Sequence, residues 1–238
     1  MNILITGTSG FVGYYVIRAF GDSQNLPQNI QSLEFLKSPQ SIIPIPNVCI
    51  PLEDEQGIID VRDAARLKSF LSASGIPAID AVIHLAAQSF VPESFKNPLE
   101  TFDINFTGTF NLLSALKETG FKGKILYVSS GDIYGLVNES SLPIKEEYPL
   151  KPRNPYAVSK VAVEALCYQW SVTEPDMRFI IVRPFNHIGP NQSESFAVSS
   201  FAKQVIENRA WTKKAGNYNR QYRRYEGFFR RKGRSGSL

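Results

Sequence analysis

Cysteine is nearly absent: Cys49 and Cys167 are the only two in 238 residues. Two thiols build no disulfide framework, and they stand in no metal-ligand spacing, so neither a cross-linked secreted scaffold nor a metal centre is expected. A reducing cytoplasm is the compartment that fits. No apolar run approaches the ~18 residues a membrane-spanning helix needs, which argues against a membrane protein. The opening Met1-Asn2-Ile3-Leu4-Ile5-Thr6 lacks a basic segment followed by a long apolar one, so no signal peptide is expected. Acidic residues are scarce at one end only. From Arg209 to Leu238 ten basic residues face Glu226 alone, whereas the rest of the chain carries 16 basic and 21 acidic residues. The net charge of +4 therefore belongs to the tail and not to the body.

With 43% hydrophobic and 20% charged residues the composition is that of an ordinary globular protein, long enough for one sizeable core or slightly more. What the chain does contain is an alternation of short apolar runs with amphipathic segments. Asn2 to Thr6 is expected as a buried parallel strand and Phe11 to Phe20 as the helix after it. Asp22 to Ser41 is expected mostly as loop, and Ser41 to Pro46 is a candidate second strand, limited by its prolines to an edge or an end. Strands are expected at Asp80 to Leu85, Lys124 to Ser129 and Arg178 to Arg183. Helices are expected at Ala64 to Ser74, Leu99 to Thr119, Pro155 to about Val172 and Ser195 to Asn208. Gly120 suits the left-handed residue after a helix, and Asn154 before Pro155 is the preferred order at a helix start. Strands alternating with helices predict an α/β fold with a doubly wound parallel sheet.

Gly7-Thr8-Ser9-Gly10-Phe11-Val12-Gly13 leaves the first strand and opens the first helix. Glycines in that context let the backbone approach a pyrophosphate, which the helix N-terminus attracts. Gly7, Ser9, Gly10, Phe11, Val12 and Gly13 are therefore candidate dinucleotide contacts. Tyr156 and Lys160 stand four apart on an expected helix and share one face. An ammonium there is expected to lower the phenol's proton affinity, making Tyr156 an acid/base for proton transfer with a substrate oxygen. A half-buried helix tyrosine is the plain alternative for Tyr156 alone; its coincidence with Lys160 and the glycine loop favours an enzyme.

The G-x-x-G-x-x-G spacing together with Tyr-x-x-x-Lys resembles the extended short-chain dehydrogenase/reductase family, the NAD-dependent epimerases and dehydratases. Other segments carry the same resemblance. His84-Leu85-Ala86-Ala87 is similar to the family's strand-end cofactor motif, Asn105-x-x-Gly108-Thr109 to its helix asparagine, and Asp60-Val61-Arg62-Asp63 to the segment that contacts adenine. The resemblance implies a Rossmann domain over residues 1–180, with Asp60, Val61, Leu85, Ala86, Ala87 and Asn105 at the cofactor alongside Tyr156 and Lys160. It also implies a catalytic triad of Ser130, Tyr156 and Lys160, Ser130 lying four before Tyr134-Gly135. In such a triad hydride passes from reduced NAD or NADP to a carbonyl carbon, while the tyrosine supplies the proton, the serine polarises the oxygen and the lysine holds the ribose. NAD versus NADP stays open: Glu34 precedes the Ser41 to Pro46 run, which itself contains no acid.

Within the family, three segments resemble the GDP-4-keto-6-deoxy-D-mannose reductases, which form GDP-D-rhamnose: Ser129 to Gly135, Pro152 to Tyr156 and Arg183 to Gln192. The partner implied is a GDP-linked 4-keto-6-deoxyhexose, with Gln88, Ser89, Val91, Ser130, Asp132, Asn186 and His187 on the substrate side. For His187 a hydrogen-bonded structural histidine competes on equal terms with substrate contact. No metal, membrane or nucleic acid is implied, and the family's homodimer is the protein partner. The GDP-mannose 4,6-dehydratases are the nearest rival; they keep a glutamate where Asp132 stands and F-N-H-E-S-P where Phe185 to Pro190 stands.

The resemblance runs to about Asn208, so residues 181–209 are expected to begin a substrate domain and 210–238 to form a tail of another kind. A basic arm on a redox-silent dinucleotide-binding protein, reaching for nucleic acid, is the reading from a different class. An out-of-frame translation is the expectation preferred here. Shifted by one nucleotide, codons for Ala210 to Arg220 permit L-G-L-K-K-P-E-I-I-T-G, and those for Gln221 to Phe229 permit N-I-D-V-T-K-D-F-S, similar to a G-N-x-x-x-x-R/K-D-F segment of the family. An incomplete C-terminal substrate domain and impaired activity are the expected consequences.

Overall fold

A computed structural model describes residues 1–21 and 48–209. The Ser41 to Pro46 strand candidate and the basic tail, with its frame-shift expectation, lie outside the described residues. Five parallel strands form the main sheet: β1 (Asn2–Thr6), β2 (Val48–Pro51), β5 (Ala81–His84), β6 (Lys124–Val128) and β7 (Arg178–Val182). Their order is β2-β1-β5-β6-β7, so the winding reverses between β1 and β5. Beyond the carboxyl ends of strands at such a reversal, doubly wound folds keep their ligand crevice. The register sets Thr6 beside His84 and His84 beside Tyr127 along that carboxyl edge. A short antiparallel hairpin, β3 (Glu53–Asp54) and β4 (Gly57–Ile58), stands apart.

The central strands are apolar on both sides because both faces are covered. On one face Leu4, Val82 and Ile125 pack with Leu67 of α2 (Ala64–Leu71) and with Leu112, Leu113 and Leu116. The last three belong to α5 (Gly108–Glu118). On the other face Ile3, Ile5 and Ile83 meet Val16, Ile17 and Phe20 of α1 (Phe11–Gly21). Tyr127 packs on Val163 and Cys167 of α6 (Pro155–Thr173). The Asn154 side chain accepts the Ala157 N–H at 2.7 Å and so fixes where α6 begins.

One expected helix is interrupted. Leu99 to Thr119 divides into α4 (Pro98–Phe102), a π-turn at Asp103–Thr107 and α5, with the short α3 (Val91–Lys96) ahead of it. The widened turn brings Gly108 onto Val61: a Cβ at 108 would lie 2.5 Å from Val61 Cγ2. It also turns the Asn105 side chain into the protein, where it finds partners that an ordinary turn leaves to solvent. Gly120 has φ +74° and closes α5 as expected.

The described residues up to His187 form one compact unit, and those from Ile188 to Arg209 belong to a second. In the second, α7 (Ala197–Arg209) starts two residues later than expected, and Lys203 pairs with Glu194. Within the first, Arg183 ties the end of β7 to α6. Its Nε and Nη2 donate to the Glu164 carboxylate at 2.9 and 2.6 Å, and Nη1 donates to Tyr134 Oη and the Glu146 carbonyl at 2.9 and 2.7 Å. Glu164 is only 8% exposed. Removing one partner of so buried a pair strands the other charge. Glu164→Gln is therefore expected to cost about 3 kcal/mol in denaturant unfolding, and a loss under half that would show the pair to be well solvated.

Candidate active site

The glycine loop is shaped by contacts of backbone on backbone. Gly7 has φ +71°, which a side chain tolerates poorly, and a Cβ there would lie 2.7 Å from Ala86 N. A Cβ on Gly13 would meet Gly7 O at 2.2 Å, and the Gly10 N–H donates to Gly7 O at 3.0 Å. The loop thus presses on Leu85 and Ala86, the strand-end segment, as the sequence pairs them. Phe11 and Val12 occupy the first turn of α1, where amide N–H groups lack intrahelical acceptors and favour an anion. Ser9 and Gly10 are exposed beside them, and Ala87 is half-buried.

Ser130, Tyr156 and Lys160 come together at the end of β6. The Ser130 oxygen accepts the Asp132 N–H at 3.2 Å, and its hydroxyl acts on the Tyr156 phenol to lower that group's proton affinity. Lys160, 5% exposed, donates from Nζ to the Val128 carbonyl at 2.8 Å. That ammonium lies 5.0 Å from the Tyr127 ring centre and 5.8 Å from that of Tyr156. Burial pushes Lys160 down to about 8, with Glu164 opposing.

The phenol runs against its sequence expectation. Burial raises Tyr156 above its ordinary value, the Ser130 hydroxyl offsets part of this, and Asp132 raises it further. The ammonium is turned to a backbone carbonyl, and in the ligand-free protein burial is the larger effect on the hydroxyl.

Asn105, fully enclosed, clamps the surroundings. Its Oδ1 accepts the Gln88 N–H at 2.8 Å, and Nδ2 donates to Gln88 O at 3.1 Å and to Ser159 Oγ at 2.9 Å. Gln88 Oε1 and Ser129 Oγ are buried polar atoms that have no hydrogen-bond partner among the described residues. Val91 is half-buried and Ser89 exposed. Asp132, exposed, accepts from Asn154 Nδ2 at 3.4 Å. Asn186 and His187 are exposed, and the His187 ring stacks on Phe11 at 6.1 Å and 2°, joining an expected substrate residue to an expected cofactor residue. Val61 packs under Gly108, and Asp60 is held by Arg62 at 2.6 Å, which keeps its carboxyl below the usual range.

Sequence reasoning passed over Thr6, Thr109, Tyr127 and Ser159, all at most 2% exposed, and gave His84 no role of its own. A histidine closing the apolar run Ala81-Val82-Ile83 was the available signal.

A reversing parallel sheet, a glycine turn that a Cβ would fill, and a serine–tyrosine–lysine cluster at the end of β6 together define a protein of Rossmann-like α/β fold. The chain belongs to the NAD dependent epimerase/dehydratase family, whose model matches residues 3–221. It is 44% identical over 204 residues to the GDP-6-deoxy-D-mannose reductase of Pseudomonas aeruginosa, an alignment covering 86% of this chain and 58% of that protein. To a UDP-glucose 4-epimerase of Pisum sativum it is 30% identical over 197 residues, 81% of this chain and 54% of the epimerase. Among solved structures it is similar to RMD from Pseudomonas aeruginosa complexed with NADPH, at a TM-score of 0.70 and 41% identity over 88% of this chain and 62% of that one. It is also similar to the UDP-glucose 4-epimerase of Thermus thermophilus in complex with NAD, at a TM-score of 0.68 and 26% identity over 87% and 63% of the two chains. The chain spans somewhat over half the length of the curated relatives it matches.

The buried lysine has a thermodynamic signature. Its folded pKa of about 8 lies below the ordinary 10.5, so between these values the unfolded chain binds more protons and stability rises with pH. Below pH 8 the full penalty is present. Lys160→Met is expected to be more stable than the parent at pH 7 by roughly 2 kcal/mol, a gain that shrinks as pH rises from 8 to 10. A destabilised Lys160→Met at pH 7 would show the ammonium to be well accommodated.

Proposed function

We propose that this chain carries the dinucleotide-binding and catalytic part of a reductase that uses NADPH to reduce the 4-keto group of GDP-4-keto-6-deoxy-D-mannose, giving GDP-D-rhamnose. Residues 1–180 would hold the dinucleotide and 181–209 begin the substrate domain. The observation that carries the reading is the Ser130–Tyr156–Lys160 cluster beside the glycine loop. The name of the 44%-identical Pseudomonas aeruginosa relative and the NADPH in the similar structure support the sugar and the cofactor.

The residues present fit a dinucleotide. Gly7, Gly10 and Gly13 let the turn close on itself and on Ala86, and the first turn of α1 offers its amides to a pyrophosphate. Ser129 Oγ and Gln88 Oε1 are buried polar atoms next to the cluster without partners among the described residues, as a polar ligand requires. Bound, the reduced nicotinamide supplies hydride. Tyr156 donates its phenolic proton to the ketone oxygen, and Ser130, whose hydroxyl already acts on that phenol, donates to the same oxygen once the ketone is seated. A phenol held high by burial stays protonated in the ligand-free protein, which is the form an acid needs. Lys160 keeps a cation beneath the phenolate that proton loss creates, and Asn105 holds the Gln88 segment against α6. Asn186 and His187 are the proposed contacts of the substrate's phosphate and sugar side, with Ser89, Val91 and Asp132 around the hexose.

Cytoplasmic residence is proposed on the free, buried Cys167 thiol; among the described residues no helix is long and apolar enough to cross a membrane. A second copy of the chain is the proposed protein partner, supported by Leu99 on α4 and by Tyr168 and Val172 on α6, which are 84%, 74% and 66% exposed.

Tyr156→Phe removes the proton donor and leaves the ring. It is expected to lower turnover of GDP-4-keto-6-deoxy-D-mannose, read as NADPH oxidation, by about 10²–10⁴-fold with dinucleotide affinity kept. Undiminished turnover in Tyr156→Phe would refute the acid role; failure of the parent chain to bind NADPH would refute the cofactor.

A further inference from the structure

A line of hydrogen bonds crosses the carboxyl edge of the sheet, from the glycine loop to the catalytic helix, through a histidine that the proposed chemistry leaves unused. The Leu85 and Ala86 N–H groups donate to Thr6 Oγ1 at 3.2 and 3.1 Å. Thr6 Oγ1 lies 2.7 Å from His84 Nδ1, and His84 Nε2 lies 2.9 Å from Thr109 Oγ1. Thr109 donates to the Asn105 carbonyl at 2.6 Å inside the π-turn. Asn105 Nδ2 donates to Ser159 Oγ at 2.9 Å, and Ser159 donates to the Tyr156 carbonyl at 2.7 Å. Thr6, His84, Thr109, Asn105 and Ser159 are each at most 3% exposed, so water does not substitute for these partners.

The proton count admits one arrangement. A carbonyl only accepts, so the Thr109 hydrogen is spent on Asn105 O and Thr109 Oγ1 must accept from His84. That makes His84 the Nε2–H tautomer. Its bare Nδ1 then takes the Thr6 hydrogen, leaving the two Thr6 lone pairs for Leu85 and Ala86. A second proton on the ring would set three donors against those two lone pairs and orphan the Thr6 hydroxyl hydrogen. Burial first, and then the Lys160 charge on α6, favour neutrality too and lower His84 to about 3, while Tyr127 on β6, whose ring lies at 6.0 Å, brings no charge to the imidazole.

We propose that His84 is a positioning residue, a neutral imidazole of fixed tautomer that locks the Thr6 end of β1, and with it the glycine turn, to the Asn105 π-turn and the first turn of the catalytic helix. Cofactor loop and proton donor are then registered to one another through His84, not each held by its own element.

The chain has only two histidines, His84 and His187, so isotope-edited imidazole NMR separates them easily. The expected spectrum shows His84 as Nε2–H with no titration from pH 8 to 5. An Nδ1–H signal, or a midpoint near the ordinary 6.5, would overturn the proposal. The second arm rests on the dinucleotide reading above. Thr109→Val cuts the line on the helix side and is expected to raise the NADPH dissociation constant about three- to tenfold, the scale of one lost hydrogen bond. Thr109→Ser, which keeps the hydroxyl, is expected to restore it. Unchanged affinity in a folded Thr109→Val would also overturn the proposal. If the parent binds no NADPH, the dinucleotide reading fails, and the tautomer spectrum alone decides for or against the relay; it decides likewise if Thr109→Val does not fold.

Discussion

A lysine ammonium sits almost out of reach of water at the end of a parallel sheet, and much of the local architecture makes that tolerable. Lys160 keeps one hydrogen bond, to the Val128 carbonyl, and lies over two tyrosine rings. The rings supply a negative face where water would otherwise solvate the charge. Glu164, one turn along α6, adds its field while its carboxylate is already spent on Arg183. The site therefore holds its cation at a standing cost, which proteins accept at positions where charge must be present and unsolvated at one step of a reaction.

The same edge shows why glycine recurs there. Gly7 against Ala86 and Gly13 against Gly7 are approaches of main chain to main chain that no Cβ survives. Closing those gaps puts the turn after β1 against the end of β5, the two strands between which the winding reverses. The crevice for a nucleotide and the scaffold for a proton donor are in this sense one construction. Strand register sets Thr6, His84 and Tyr127 in a row, and α5 and α6 reach that row with Thr109 and Lys160.

Much of this was legible in the sequence because the signals were local. Unbroken apolar runs marked β1, β5, β6 and β7 but not β2, Asn154-Pro155 marked the start of α6, and the glycine spacing fell on a strand-to-helix turn. The spacing of Tyr156 and Lys160 correctly put both on one helix, but the sign of the phenol's shift was wrong. Helical spacing says that two groups are neighbours and nothing about burial, and burial is the larger effect on Tyr156. The π-turn was equally invisible, since the contact of Gly108 with Val61 joins residues far apart in sequence. Thr6, Thr109 and Ser159 were missed for the same reason: each is an ordinary hydroxyl until the sheet brings its partner alongside.

The most direct measurement is an NMR titration of the Lys160 ammonium in the dinucleotide-free protein. A half-titration near pH 8 is the predicted result, for a cation that burial disfavours and two aromatic faces only partly support. A value at the ordinary 10.5 would mean that the ammonium is solvated, and the account of a dry, poised cation beneath the phenol would be wrong.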